Sequence, residues 1–130
     1  MRNAARGLAG LVALLFLIFG VRYMFLPAGL MESGGLEAVS SLGLANVRAL
    51  IGGAFLTFGI LLIMHTVISQ QTGALRFTIL FLLLSIVGRI VSLIADGSNG
   101  GVVRNMIPAI ILFVVSIASL MMFLRSETSE

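Results

Sequence analysis

Four long apolar runs decide what this chain can become. They cover residues 7–26, 45–68, 74–95 and 102–124. An α-helix rises 1.5 Å per residue, so about 20 residues cross the ~30 Å hydrocarbon layer of a bilayer. Charges within the runs are sparse: Arg22 near the end of the first, Arg48 near the start of the second, Arg89 inside the third, and none between Arg104 and Arg125. Strands of a membrane barrel would be ~10-residue pieces alternating with period two, and these runs are too long and too uniform for that. Composition agrees, with 59% hydrophobic and 10% charged residues, where soluble domains average about 45–50% and about 25%. So few charges cannot coat a soluble globule, and a chain this apolar is not disordered. The expectation is a single domain over residues 1–130, an all-α integral membrane protein folded as an antiparallel four-helix bundle.

The connections are legible too. Leu26, Pro27, Ala28 and Gly29 end the first helix, and a longer loop over residues 31–43 has room for a short interfacial helix around residues 36–42. Residues 69–73 form a polar turn, and residues 96–101 form another, rich in types that accept positive φ. The sequence around Val21-Arg22-Tyr23-Met24 lacks a small-x-small cleavage pattern, so the first run is expected to be retained. Four helices put both termini on one side, with Arg2, Arg6, Arg76 and Arg125; Arg22, Arg48 and Arg104 lie on the other, with Arg89 deeper. The balance is nearly even, but the first helix usually dominates orientation, which favours cytoplasmic termini.

Several function classes drop out. The net charge of +3 is small and scattered, without the basic stripe that nucleic acid demands. Without cysteine there is no disulfide, no thiol redox chemistry and no cysteine metal site. The one histidine, His65, cannot build a multi-histidine site, so no metal and no cofactor are expected. His65, beside Gln70 and Gln71, fits a polar residue at the membrane boundary, and Tyr23 fits an interface anchor.

Polar residues gather at one end of the expected bundle: Arg22, Asn46, Arg48, Arg89, Ser92, Asp96 and Arg104, with Asn105 beside them and Glu32 and Glu37 in the loop above. Side chains on a helix lean toward its N-terminus. On the second and fourth helices that lean leads to water, so Arg48 and Arg104 snorkel easily. On the first and third it leads into the membrane, so Arg22 and Arg89 must turn back or find partners. Ser85, Arg89, Ser92 and Asp96 follow four-three-four spacing, one helical face. An arginine facing lipid there would cost at least ~2.5 kcal/mol, so Arg89 should face the bundle. Two readings fit: a salt-bridged network closing the bundle's end, or a polar pocket for the head of a lipid-like or anionic molecule.

Small residues at helical spacing (Ala9 with Ala13, Ala49 with Gly53, Gly52 with Gly59, Ser116 with Ser119) let membrane helices approach closely. Contact inside one bundle is the plain explanation, and a homodimer face is the other.

The elements Ala45-Asn46-Val47-Arg48-Ala49 followed by Gly52-Gly53, then Gly88-Arg89 with Ser92 and Asp96-Gly97, together with Phe25-Leu26-Pro27, resemble a bacterial family of small four-helix membrane proteins. That family is catalogued as domain of unknown function 4345, and it is similar, more distantly, to the DoxX-like membrane proteins. The resemblance spans roughly residues 8–124 and implies an architecture and a bacterial inner-membrane setting, with no activity. Leu50-Ile51 departs from the acidic or aromatic residue that members often carry, so no chemistry is carried over to that position.

Three function classes compete. The first is a non-enzymatic membrane module that binds a lipid, quinone or other hydrophobic small molecule, or serves as an accessory subunit to a membrane-protein partner. The second is a small transporter or channel subunit; multidrug transporters of this size need a carboxylate within the first helix, and residues 7–21 have none. The third is an intramembrane enzyme, for which Asp96 beside Arg89 is the one acid–base pair. An adjacent cation makes an aspartate a poorer acid, so the sequence leans away from an enzyme and offers no catalytic residue.

Overall fold

The computed structural model describes residues 1–37, 41–95 and 100–128, apart from the side chain of Ser92. The described residues form helices and no strand: α1 (Arg2–Phe25), α2 (Pro27–Ser33), α3 (Ser41–Ile68), α4 (Gly73–Ala95) and α5 (Gly100–Glu127). All but α2 are long and apolar enough to cross a membrane, which is consistent with a multi-pass membrane protein. In hydrocarbon every backbone N–H and C=O must be satisfied within the segment, so uninterrupted helix is the outcome for such runs. The helices also extend beyond the apolar runs, α1 starting at Arg2 and α5 reaching Glu127, because their polar ends can be hydrated.

The break after α1 follows from proline. Pro27 pushes Leu26 out of helical geometry, to φ −130° and ψ 57°, and itself occupies the first position of α2, where its missing N–H costs nothing. The short helix therefore lies at Pro27–Ser33, earlier than the expected residues 36–42: Leu36 and Glu37 are non-helical, residues 38–40 lie outside the described ones, and Ser41 and Leu42 already belong to α3. The polar turn after α3 is present, with Gln70 at φ 57°. The turn expected at 96–101 lies largely outside the described residues.

α3 is wound as a π-helix over Val47–Gly52 and Leu62–Ile68. Wider winding leaves carbonyls at its end seeking donors. Ser69 supplies its backbone N–H (3.1 Å) and its hydroxyl (2.8 Å) to the Met64 carbonyl, Gln71 N–H reaches the His65 carbonyl at 2.7 Å, and Arg6 Nε donates to the Val67 carbonyl at 2.9 Å. His65 is exposed and its Nδ1 lies 3.4 Å from Gln71 Oε1.

α1 organises the rest. It packs along the whole of α3 and along α5, while α4 packs on α5 and on the Leu62–Ile68 end of α3, with slight contact to the middle of α3. α1 turns a small-residue stripe inward: Ala5, Ala9, Val12, Ala13, Phe16 and Gly20 are all buried. Against it lie glycines of α3. A Cβ on Gly52 would stand 3.1 Å from the Met24 nitrogen, and one on Gly59 2.7 Å from Leu17 and 3.1 Å from the Ala13 carbonyl. On the α1 side a Cβ at Gly20 would stand 2.7 Å from the backbone nitrogen of Leu56. With α5, Ser119 donates across to the Ala5 carbonyl at 2.8 Å. Ala9, Ala13, Gly52, Gly59, Ser116 and Ser119 thus serve contact inside the chain. Ala49 and Gly53 do not: Ala49 is exposed, and a Cβ on Gly53 would meet nothing within 4 Å.

The outer surface is hydrocarbon, with Leu14 53%, Phe77 70% and Ile94 80% exposed. A surface this apolar is stable against acyl chains and would aggregate in water. The glycine contacts set a stability test in detergent. Gly20→Ala forces α1 and α3 apart and should cost about 1–3 kcal/mol, as other overpacked contacts do. Gly88→Ala enters open space and should stabilise by about 0.5–1 kcal/mol, the usual gain over a helical glycine. Equal melting temperatures for the two variants would contradict this interface.

Candidate functional site

The site is built on one stripe of α4. Phe81, Ser85 and Arg89 are four apart and lie on one face of the helix. The Arg89 side chain takes the lean that helix geometry imposes, toward the N-terminus. Its Nη1 donates to Ser85 Oγ at 2.6 Å and to the Ser85 carbonyl at 3.4 Å, and the residue is half-buried. Ser85 lies ten residues before Ala95, where α4 ends, so the guanidinium is drawn about 15 Å along the axis from that end. That is close to the middle of a ~30 Å hydrocarbon layer. The hydroxyl holds the charge there without neutralising it.

Around this charge stands an aromatic cluster. Tyr23 of α1 is half-buried, within electrostatic reach of the Arg89 guanidinium. Its ring stacks on Phe55 of α3, centroids 5.9 Å apart and planes 2° from parallel. Phe55 in turn meets Phe16 at 5.3 Å and Phe81 edge-on at 6.4 Å, and Phe58 meets Phe81 at 4.6 Å. Offset and edge-to-face ring pairs of this kind hold helices in register. Phe81 and Phe58 also line an apolar groove between α3 and α4, about 390 Å³ in volume, together with Thr57, Leu61, Ala74, Phe77, Leu80 and Leu84. The groove exists because α4 leans on α5 and on the far end of α3, leaving the middle of α3 largely uncovered on this side. Thr57 turns its hydroxyl back to the Gly53 carbonyl at 2.8 Å, so the wall it presents is a methyl group.

The structure spreads the remaining expected site residues. Arg22, Asn46, Arg48 and Arg104 are exposed, each at the same end of its helix as expected, and no hydrogen bond joins any two of them among the described residues. Asn46 and Arg48 sit at the start of the first π-helical stretch. The Ser92 side chain and Asp96 lie outside the described residues. Asn105 is half-buried and its amide donates to the Ser33 carbonyl at 3.4 Å, tying α5 to the end of α2. Glu32 and Glu37 are exposed and line a separate surface hollow with Met31 and Leu44. Arg89 is the member of the group with a half-buried side chain, and its described polar contacts go to Ser85.

Tyr23 and Phe55 are absent from the sequence-derived group. Their signal was present as spacing: Phe16, Phe19 and Tyr23 share a face of α1, and Phe55 and Phe58 are three apart on α3.

The family model described as domain of unknown function (DUF4345) matches residues 4–123. The chain belongs to this family. No curated protein and no solved structure matches it. Within this DUF4345 chain the Asn46-x-Arg48 element is exposed near the start of α3, and the Gly88-Arg89 element lies within α4, where Arg89 is half-buried.

The Arg89–Ser85 contact predicts a coupling. A hydrogen bond to a charged group is worth about 1.5–3 kcal/mol, so Ser85→Ala should lower stability by that amount. In an Arg89→Met background the same change should cost less than about 0.5 kcal/mol, the scale of substitutions without a partner. Thermal unfolding of the four proteins in detergent checks this, and additive losses would show that the bond contributes nothing.

Proposed function

We propose that this DUF4345 chain is a non-enzymatic binding module of the bacterial cytoplasmic membrane, folded as an antiparallel four-helix bundle with both termini in the cytoplasm. In this reading it holds a membrane lipid, a quinone or another hydrophobic small molecule whose polar head accepts hydrogen bonds from Arg89, alone or as an accessory subunit of a larger membrane assembly. Asn46, Arg48, Arg22, Arg104, Ser92 and Asp96 form the polar rim of that pocket, at the non-cytoplasmic end.

One observation carries the reading. A guanidinium is drawn toward the middle of an apolar helix by a neutral hydroxyl. Charge at that depth costs at least ~2.5 kcal/mol unless it is paired or solvated, and intramembrane ionisable groups accordingly mark functional positions. A head group with an oxygen acceptor would complete the coordination that Ser85 begins. The opposite end of the chain supports binding over transport. There Arg6 meets the Val67 carbonyl, Ser119 meets the Ala5 carbonyl, and Leu75 and Phe123 are buried, so the described residues at that end pack closely beside α1.

Two experiments test this. Reporter fusions at Arg125 and within residues 33–35 should report opposite compartments, and a shared compartment would contradict the topology. For the pocket, Arg89→Met should lose the lipid that co-purifies with the native protein in native mass spectrometry. Undiminished lipid in that variant would rule the pocket out.

A further inference from the structure

The buried hydroxyls of the helices follow one habit, with one exception. Thr78 and Ser116 each donate to the carbonyl four residues earlier, at 2.9 and 2.7 Å, as the exposed Thr57 does at 2.8 Å. Ser119 crosses to the Ala5 carbonyl. Thr66 is fully buried, and its Oγ1 has no hydrogen-bond partner among the described residues. Leaving a buried hydroxyl unpaired is destabilising. The winding explains the exception. Thr66 lies inside the π-wound stretch Leu62–Ile68, where backbone pairing runs to the fifth residue. The Leu62 carbonyl then no longer stands where an α-helix would put it for a hydroxyl four residues on.

Two further features mark the end of this stretch. Gln70 follows it at φ 57°, a left-handed conformation that residues other than glycine seldom take. From outside the helix, Arg6 of α1 donates its Nε to the Val67 carbonyl at 2.9 Å, placing a cation at the negative end of the helix. A hydrogen bond from a charged donor and an orphaned buried hydroxyl are of the same order and opposite in sign. The contact from Arg6 thus offsets what the π winding loses at Thr66.

We infer that the end of α3 is a two-position element: a π-wound form latched by Arg6, and an α-wound form in which Thr66 donates to the Leu62 carbonyl. Conversion changes i→i+5 pairing into i→i+4 pairing. It turns the residues that follow by about 100° and passes one residue into the polar turn after α3. Val67 leaves Gly10, whose Cβ would stand 3.8 Å from Val67 Cγ2, and its carbonyl leaves Arg6. The Ser69 N–H, now on the Met64 carbonyl at 3.1 Å, moves to that of His65, and Gln70 gains the length to relax. The device lies at the opposite end of α1 from Tyr23 and does not depend on the reading of Arg89.

The test uses the full-length protein in detergent micelles. Amide hydrogen exchange reads the conversion, because the Ser69 and Gln71 N–H groups change partners in it. In Thr66→Val the α-wound form loses its bond, so both amides should exchange at least about fivefold more slowly than in the native protein. Thr66→Ser keeps the hydroxyl and should match the native rate. Disulfide formation by a Gly10→Cys, Val67→Cys pair reads the latch. Arg6→Gln should slow it at least about fivefold, and adding Thr66→Val should bring the rate back to that seen with Arg6 in place. Unchanged exchange in Thr66→Val, even with a higher melting temperature, overturns the second winding and leaves Thr66 an orphan in a single rigid structure. Equal slowing in Thr66→Ser also overturns it, since the hydroxyl is then not the cause. An unchanged cross-linking rate in Arg6→Gln, or one that Thr66→Val does not restore, overturns Arg6 as the latch.

Discussion

The close approach of α1 and α3 sets everything else in this chain. Gly20, Gly52 and Gly59 bring the two backbones within the distance at which a single methyl group would collide. Membrane helices gain little from hydrophobicity when they associate, and the intimacy of van der Waals contact replaces it. Having spent its small-residue face on α3 and α5, α1 reaches α4 chiefly through Phe16 and Phe81. α4 is left to lean on α5 and on the far end of α3. The groove beside Phe58 and Phe81 is the consequence.

Arg89 is intelligible within that frame. Had α4 been packed tightly along α3, a guanidinium at the level of Ser85 would have required a buried acid beside it, and burying an ion pair is costly in its own right. In the observed arrangement the charge has a hydroxyl and a phenol ring nearby. The lean of helical side chains toward the N-terminus favours the contact that Arg89 makes with Ser85. Arg48 and Arg104 sit near helix starts and are exposed. Arg22, Arg48 and Arg104 are exposed and Arg89 is half-buried against Ser85.

Much of the architecture was legible. Run length and uniformity are direct consequences of bilayer thickness, and they located all four long helices. The Leu26-Pro27 break was legible because proline acts locally. The short helix at Pro27–Ser33 was not foreseen, because the start it takes from Pro27 is a local cap and not an apolar pattern. The π-helical stretches of α3 carry no residue signature. The distinction between Gly52 and Gly53 was also hidden: both are small residues on one helix, and only the position of α1 decides that the first is pressed against Met24 and the second faces open space. At the site, Arg89 and Ser85 were legible from the four-residue spacing. Tyr23 was read as a boundary anchor because its partner Phe55 lies on another helix, and spacing along one chain segment says nothing about pairing across segments.

The central claim is that α1 and α3 touch while α3 and α4 part beside Arg89, and it is tested by oxidative cross-linking in native membranes. The chain has no cysteine, so introduced pairs report alone. Gly10→Cys with Val67→Cys joins positions in van der Waals contact across α1 and α3, a Cβ at Gly10 standing 3.8 Å from Val67 Cγ2. Gly53→Cys with Gly88→Cys joins positions with nothing within 4 Å of either Cβ. The account predicts rapid disulfide formation in the first pair and none in the second. Cross-linking of Gly53→Cys to Gly88→Cys as fast as the first pair would contradict it.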